Sequence, residues 1–172
     1  GYSWHHNIKV IDKRFISERV NQIRNWNMEF IQGDILDKNL VEKHFKEADV
    51  VHHLAGITDV PRTKSESSPE RDKEINEVAE IGAKNILEVV NNKCKIIFPS
   101  THVVFEGIKD VKNDIKENEQ TQPILAYAKS KALNERQLKE SGKNFVILRL
   151  GSVYGYSLDC LLYTSPSPRD RI

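Results

Sequence analysis

The chain has 172 residues, 38% of them hydrophobic and 30% charged, and its 26 basic and 25 acidic residues leave a formal net charge of +1. The length suffices for one domain with its own core, and the near balance of charge gives no electrostatic reason to expect nucleic acid or an anionic membrane as partner. No apolar run approaches a bilayer span and no signal-peptide core opens the chain.

From the N-terminus onward, short apolar runs alternate with helical patterns, as βαβ units around a parallel sheet require. Strands are expected at residues 8–11, 28–32, 49–54, 95–100 and 145–149. Several are near-continuous in Val, Ile, Leu and Phe, as strands covered on both faces are. Between the second and third, Leu36, Leu40, Val41 and Phe45 recur at helical spacing. Between the third and fourth, Ile75, Val78, Ala79, Gly82, Ile86, Leu87 and Val90 make a longer amphipathic stripe. After Pro123, residues 126–141 read as a helix stopped by Gly142. Residues 58–72 and 107–122 are polar and carry turn residues, so loops are expected there, and the mixed-sign run 109–119 reads as solvated. No internal repeat is visible.

The two cysteines, Cys94 and Cys160, form neither a metal-ligand spacing nor a disulfide framework, so a reducing, cytoplasmic setting is expected. The adjacent pairs His5-His6 and His52-His53 invite a metal reading. Neighbouring residues on a strand point to opposite faces, however, so His52 and His53 cannot readily chelate one ion, and no metal is expected. Residues 160–172 lose all periodicity, are loaded with Ser and Pro, and look like the translation of an adapter used in sequencing libraries. They are expected to be a non-native tail.

Tyr127 and Lys131 carry the chemistry. Four residues apart on the expected helix, they share one face, one turn from each other. An ammonium that close favours the ionised form of a phenol. A hydroxyl at the end of the preceding strand, from Ser100 or Thr101, could orient a substrate C–OH against that phenolate. Such a set moves a proton on and off an alcohol while a hydride leaves or arrives at the same carbon. The eight glycines, in contrast, form neither Gly-x-Gly-x-x-Gly nor Gly-x-x-Gly-x-x-Gly. A dinucleotide fold needs such a loop after its first strand, where backbone N–H groups meet the pyrophosphate. Either the fold is a different one, or that strand and loop lie upstream of Gly1.

The landmarks along the chain favour the second alternative. Val10-Ile11-Asp12, Gly33-Asp34-Ile35, His53-Leu54-Ala55-Gly56, Ser100-Thr101, Tyr127 with Lys131, and Arg149 through Gly155 stand in an order and at a spacing that resemble an extended short-chain dehydrogenase/reductase. The resemblance is to the NAD-dependent sugar epimerase/dehydratase kind. It implies an α/β fold: a Rossmann-like, doubly wound parallel sheet, here truncated, without the first strand and its glycine-rich loop and without the C-terminal substrate region. Residues 1–159 would then be a partial NAD-binding domain. Because the absent strand is central in the usual order, two groups of strands would lose their shared partner.

The same resemblance implies NAD as cofactor, a nucleotide sugar as substrate and a homodimer in the full-length protein. Asp12 would accept the adenosine ribose hydroxyls and repel the phosphate of NADP, although Lys13 and Arg14 beside it could meet a phosphate. Asp34 and Ile35 would contact adenine, and Leu54, Ala55 and Gly56 would form the strand-end turn beneath the cofactor. Thr101 would hydrogen-bond the reacting oxygen, Tyr127 would be the acid/base, and Lys131 would hold the nicotinamide ribose and lower the tyrosine pKa. The sequence also departs from the family. Members that eliminate water carry Asp-Glu after the threonine, where this chain has His102-Val103, so epimerisation is expected ahead of dehydration. Ala79 replaces a helix asparagine of the family and Ser152 an asparagine of the last motif. A one-way sugar-nucleotide reductase or dehydrogenase, and a non-catalytic dinucleotide-binding member, are the competing readings.

Overall fold

The computed structural model describes residues 5–58, 68–109 and 114–151. Five strands and four helices follow one another as β1 (Lys9–Asp12), α1 (Ser17–Asn25), β2 (Glu29–Gln32), α2 (Lys38–Phe45), β3 (Val50–His52), α3 (Pro69–Val89), β4 (Lys95–Thr101), α4 (Ala126–Glu140) and β5 (Asn144–Leu150). All pairings are parallel. Among the described residues they form two sheets, β1–β2 and β3–β4–β5, with no ladder joining them. The expected separation into two strand groups is therefore present, with one edge of β1 and one edge of β3 unpaired among the described residues.

Helices α2 and α3 begin for local reasons. Asp37 caps α2 by accepting from the N–H groups of Asn39 and Leu40, and Ser68 caps α3 by accepting from Arg71 N–H, with Pro69 in the first turn. Residues 68–72, expected to be loop, thus open the long helix; Ser-Pro followed by Glu70 and Asp72 is a start signal overshadowed by the polar stretch before it. Helix α1, absent from the sequence expectations, buries Val20 against β2. It closes where Asn27 turns to φ 58°, with Met28 N–H bonded to Ile23 C=O and Asn27 N–H to Arg24 C=O. An asparagine takes the left-handed position usually given to glycine. Strand β3 is shorter than expected, ending at His52, because Leu54 already turns back to bond the carbonyl of His52.

The core is built around β4. Ile96 and Phe98 are 1% and 0% exposed, and Val41, Val51, Ile86, Val90, Cys94 and Leu138 close around them. Coverage on both faces holds for this strand only in part for the others: the central residues of β1 and β2 are merely half-buried, since that sheet has two strands and one short helix. What ties the two sheets together is helix packing. Asn85 on α3 donates to the carbonyls of Ile35 (2.9 Å) and Leu36 (3.2 Å), and a Cβ on Gly82 would run into the Ile35 side chain. Lys38 and Glu88 add an exposed pair at 2.6 Å, of small value in water.

Unpaired, apolar strand edges invite intermolecular pairing. Val50 is 44% and Leu54 66% exposed beside the open edge of β3. This polypeptide should therefore self-associate at micromolar concentration, read by light scattering on a sizing column, and Val50→Lys should reduce the associated fraction. A monodisperse monomer for the unsubstituted chain would contradict this account of the edges.

Candidate active site

Within each sheet, parallel pairing brings the C-terminal ends of the strands to one side, and the sequence-predicted residues lie at or just beyond those ends or on α4. Asp12 ends β1, and its Oδ1 accepts from Arg14 N–H at 2.8 Å. Asp34 follows β2 and its Oδ1 accepts from Leu36 N–H at 3.0 Å. The two turns touch, for Gly33 N–H bonds Asp12 C=O at 3.0 Å. Lys13 lies 3.8 Å from Asp34 Oδ2, so its ammonium is drawn toward a carboxylate of its own chain. Ile35 differs from Asp34: its side chain is 7% exposed and packs on Gly82, leaving the surface to its neighbour. After β3, Leu54 and Gly56 are exposed, and a Cβ at Gly56 would meet nothing within 4 Å, so open space lies over this turn.

Ser100 and Thr101 separate into two jobs. Ser100 turns its hydroxyl toward α4, donating to Glu135 Oε1 at 2.7 Å. Thr101, the last residue of β4, accepts from Val103 N–H at 3.3 Å and so starts the 3-10 turn His102–Phe105. His102 is exposed, with Nδ1 3.2 Å from the carbonyl of Leu150. Beyond the turn, the chain is strapped to the entrance of α4. Gly107 N–H bonds Gln122 C=O and Gln122 N–H bonds Val104 C=O, both at 2.8 Å. The Glu106 carboxylate accepts from Ile124 N–H (2.7 Å) and Leu125 N–H (2.6 Å). Helix α4 has no cap from its own N-cap residue Leu125; Glu106 instead holds the two N–H groups that lead into the helix.

On α4, Tyr127 and Lys131 share one face as the spacing requires. The Lys131 ammonium sits 5.8 Å from the Tyr127 ring centre and 4.8 Å from that of Phe98, and donates to the carbonyl of Pro99 at 3.1 Å. Burial lowers its pKa below the ordinary lysine value. Ala79 is buried in α3, and its carbonyl accepts from Asn134 of α4 at 2.7 Å. Ser152 and the last residues of the motif beginning at Arg149 lie outside the described residues, as does the expected tail 160–172.

His52 is exposed and His53 buried, as alternation demands. No group of three or more His, Cys, Asp or Glu side chains that could hold a metal occurs among the described residues. His53 packs on Phe98 at 5.4 Å between ring centres, and neither ring nitrogen has a hydrogen-bond partner. Burial, assisted by the charge of Lys131, lowers its pKa to about 4.

The family model described as "RmlD substrate binding domain" matches residues 12–164. Among curated proteins, the dTDP-D-glucose 4,6-dehydratase of Dictyostelium discoideum is 29% identical over 169 residues, covering 86% of this chain and 38% of that protein. The CDP-paratose 2-epimerase of Salmonella typhi is 32% identical over 154 residues, covering 75% of this chain and 44% of that protein. Among solved structures, the Bordetella bronchiseptica enzyme WbmG in complex with NAD and UDP superposes with a TM-score of 0.72 at 22% identity, covering 91% of this chain and 49% of that one. That last likeness is one of fold. The chain thus spans about half the length of the proteins it matches, or less. No helix among the described residues is long and apolar enough to cross a membrane.

Two outcomes follow from this geometry. Glu106→Ala strips the acceptor from the N–H groups of Ile124 and Leu125, and thermal or denaturant unfolding should show a loss of about 1–2 kcal/mol. His53 is held neutral in the fold but protonates near pH 6.5 when unfolded, so the unfolded chain binds the extra proton between pH 6.5 and about 4. Stability contributed by this group is intact above that window and lost as pH falls through it, by about 3 kcal/mol at most. In His53→Gln, the fall in unfolding free energy from pH 7 to 4.5 should be smaller than in the parent by roughly 2 kcal/mol; parallel curves would refute the assignment.

Proposed function

Because the chain belongs to the RmlD substrate binding domain family, within the NAD-dependent epimerase/dehydratases of the extended short-chain dehydrogenase/reductases, we propose that it is part of an NAD-dependent nucleotide-sugar epimerase-like enzyme. The observation that carries this reading is the pairing of Tyr127 with a half-buried Lys131 on one helix face, behind the strand that ends in Thr101.

The residues present suit the cofactor. Asp12 offers a carboxylate at a strand end for ribose hydroxyls, Asp34 borders the place for adenine with Ile35 packed beneath that turn, and the open space over Gly56, in the turn Leu54–Ala55–Gly56, leaves room for a ligand to lie close. Asp12 and the engagement of Lys13 with Asp34 favour NAD over NADP. NAD bound there would supply an acceptor and donor of hydride at the sugar carbon.

The chain's own groups handle the proton. Tyr127 as phenolate takes it from the sugar hydroxyl, and returns it once the keto sugar has presented its other face. Thr101 hydrogen-bonds the reacting oxygen. Lys131, desolvated beside Phe98 and Pro99, holds its positive charge near the phenol and favours the ionised form. His102 and Val103 offer no carboxylates after Thr101, which favours epimerisation over loss of water. One observation speaks for a non-catalytic, dinucleotide-binding member instead: at Ala79 the family's asparagine is absent and the backbone carbonyl is taken by Asn134.

In the full-length protein, Tyr127→Phe should lower epimerisation of a nucleotide hexose by about 10²-fold or more while NAD remains bound. Unchanged turnover would sink the mechanism. A wild type that binds NAD yet turns over no sugar nucleotide across a broad panel would establish the binding-module reading.

A further inference from the structure

Glu135 is 2% exposed, and a carboxylate so far from water costs several kcal/mol unless it is fully paired. Its partners account for both oxygens. Ser100 Oγ donates to Oε1 at 2.7 Å; Arg149 Nε lies 3.0 Å from Oε1 and 3.2 Å from Oε2, and Arg149 Nη2 donates to Oε2 at 2.6 Å. Lys139 is 3.8 Å away at the rim. Burial pushes the Glu135 carboxyl up, but the bonds from Arg149 and Ser100 outweigh it and hold the group below the usual carboxylate range.

The clamp extends past this pair. Ser100 and Arg149 are register partners on β4 and β5. Arg149 also donates from Nη1 to the carbonyl of Glu117 at 3.0 Å and lies 5.0 Å from the Phe105 ring centre. On α4, Glu135 stands one turn beyond Lys131 and two beyond Tyr127. One carboxylate therefore joins the end of β4, the end of β5, the turn after Thr101 and the face of α4 that bears Tyr127.

We propose that Glu135 is a positioning residue, which sets the placement of Thr101 relative to Tyr127 and Lys131 by binding Ser100 and Arg149 at once. The inference rests on the reading of Thr101, Tyr127 and Lys131 as the reacting set. Apolar side chains of similar volume often stabilise a core as well as a buried ion pair does, whereas a forked, directional pair also fixes distances. A displacement of about 1 Å at a reacting group can cost 10²-fold in rate.

The test uses the full-length protein with NAD and either UDP-glucose or UDP-glucuronate. Ser100→Ala removes one bond of the clamp with little change of volume; kcat should fall about 10- to 100-fold, with KM and NAD affinity within about threefold of wild type. The double substitution Glu135→Met with Arg149→Met should keep the melting temperature near that of the parent while kcat remains low. If kcat stays within about twofold in Ser100→Ala, or is recovered in a stable double variant, Glu135 serves stability alone and the proposal is overturned. Should the double variant fail to fold, Ser100→Ala decides. Tyr127→Phe run in parallel separates the two ideas: an inactive Tyr127→Phe beside a fully active Ser100→Ala defeats the positioning role only, and an active Tyr127→Phe defeats the reaction on which it rests.

Discussion

Every strand pairing here is parallel, and the rest of the molecule follows from that constraint. Parallel neighbours cannot be joined by tight turns, so each connection crosses back over a face of a sheet, mostly as a helix. Within each sheet the strands then end on one side, where their last residues can meet a ligand. Asp12 and Asp34 stand at that end of the first sheet, and Leu54 to Gly56 and Thr101 at that end of the second, because they occupy the same place in successive β–α units.

Around this rim, polarity is graded. The turns at Asp12 and Asp34 are exposed, their carboxylates bonded to nearby N–H groups and Asp34 weakly paired with Lys13. The surroundings of Tyr127 are drier, with Lys131 against Phe98 and Glu135 nearly sealed. Charges interact more strongly where water is excluded, so an ammonium beside Phe98 influences a neighbouring phenol more than it would at the surface. The same surroundings keep His53 neutral, which prevents a second positive charge from building up near Lys131 at ordinary pH.

Periodicity in the sequence carried the strand positions, three of the four helices and the Tyr127–Lys131 face, since each depends on residues close together in the chain. Helix α1 was missed although Ile16, Val20 and Ile23 have helical spacing; its few apolar positions and its asparagine stop made a faint signal. Ile35 was legible as part of a motif, but its burial against Gly82 was not, because that contact spans two crossovers. Glu106 and Glu135 formed no part of the sequence reading. Nothing local distinguishes a glutamate that binds the chain 19 residues further on, or one that meets an arginine across the sheet, from one in solvent. Such pairings become visible only when the fold has brought their partners together.

The strap between Gly107 and Gln122 separates the length of the intervening loop from the placement of α4. Both ends of that segment are tied, by paired backbone bonds and by Glu106 on Ile124 and Leu125. Lengthening a flexible loop whose ends are held is cheap, about 0.6 kcal/mol per doubling. Insertions and deletions between residues 107 and 122 are therefore expected to leave Tyr127 where it is, which makes this neck a place where chain length can vary beside an unchanged helix.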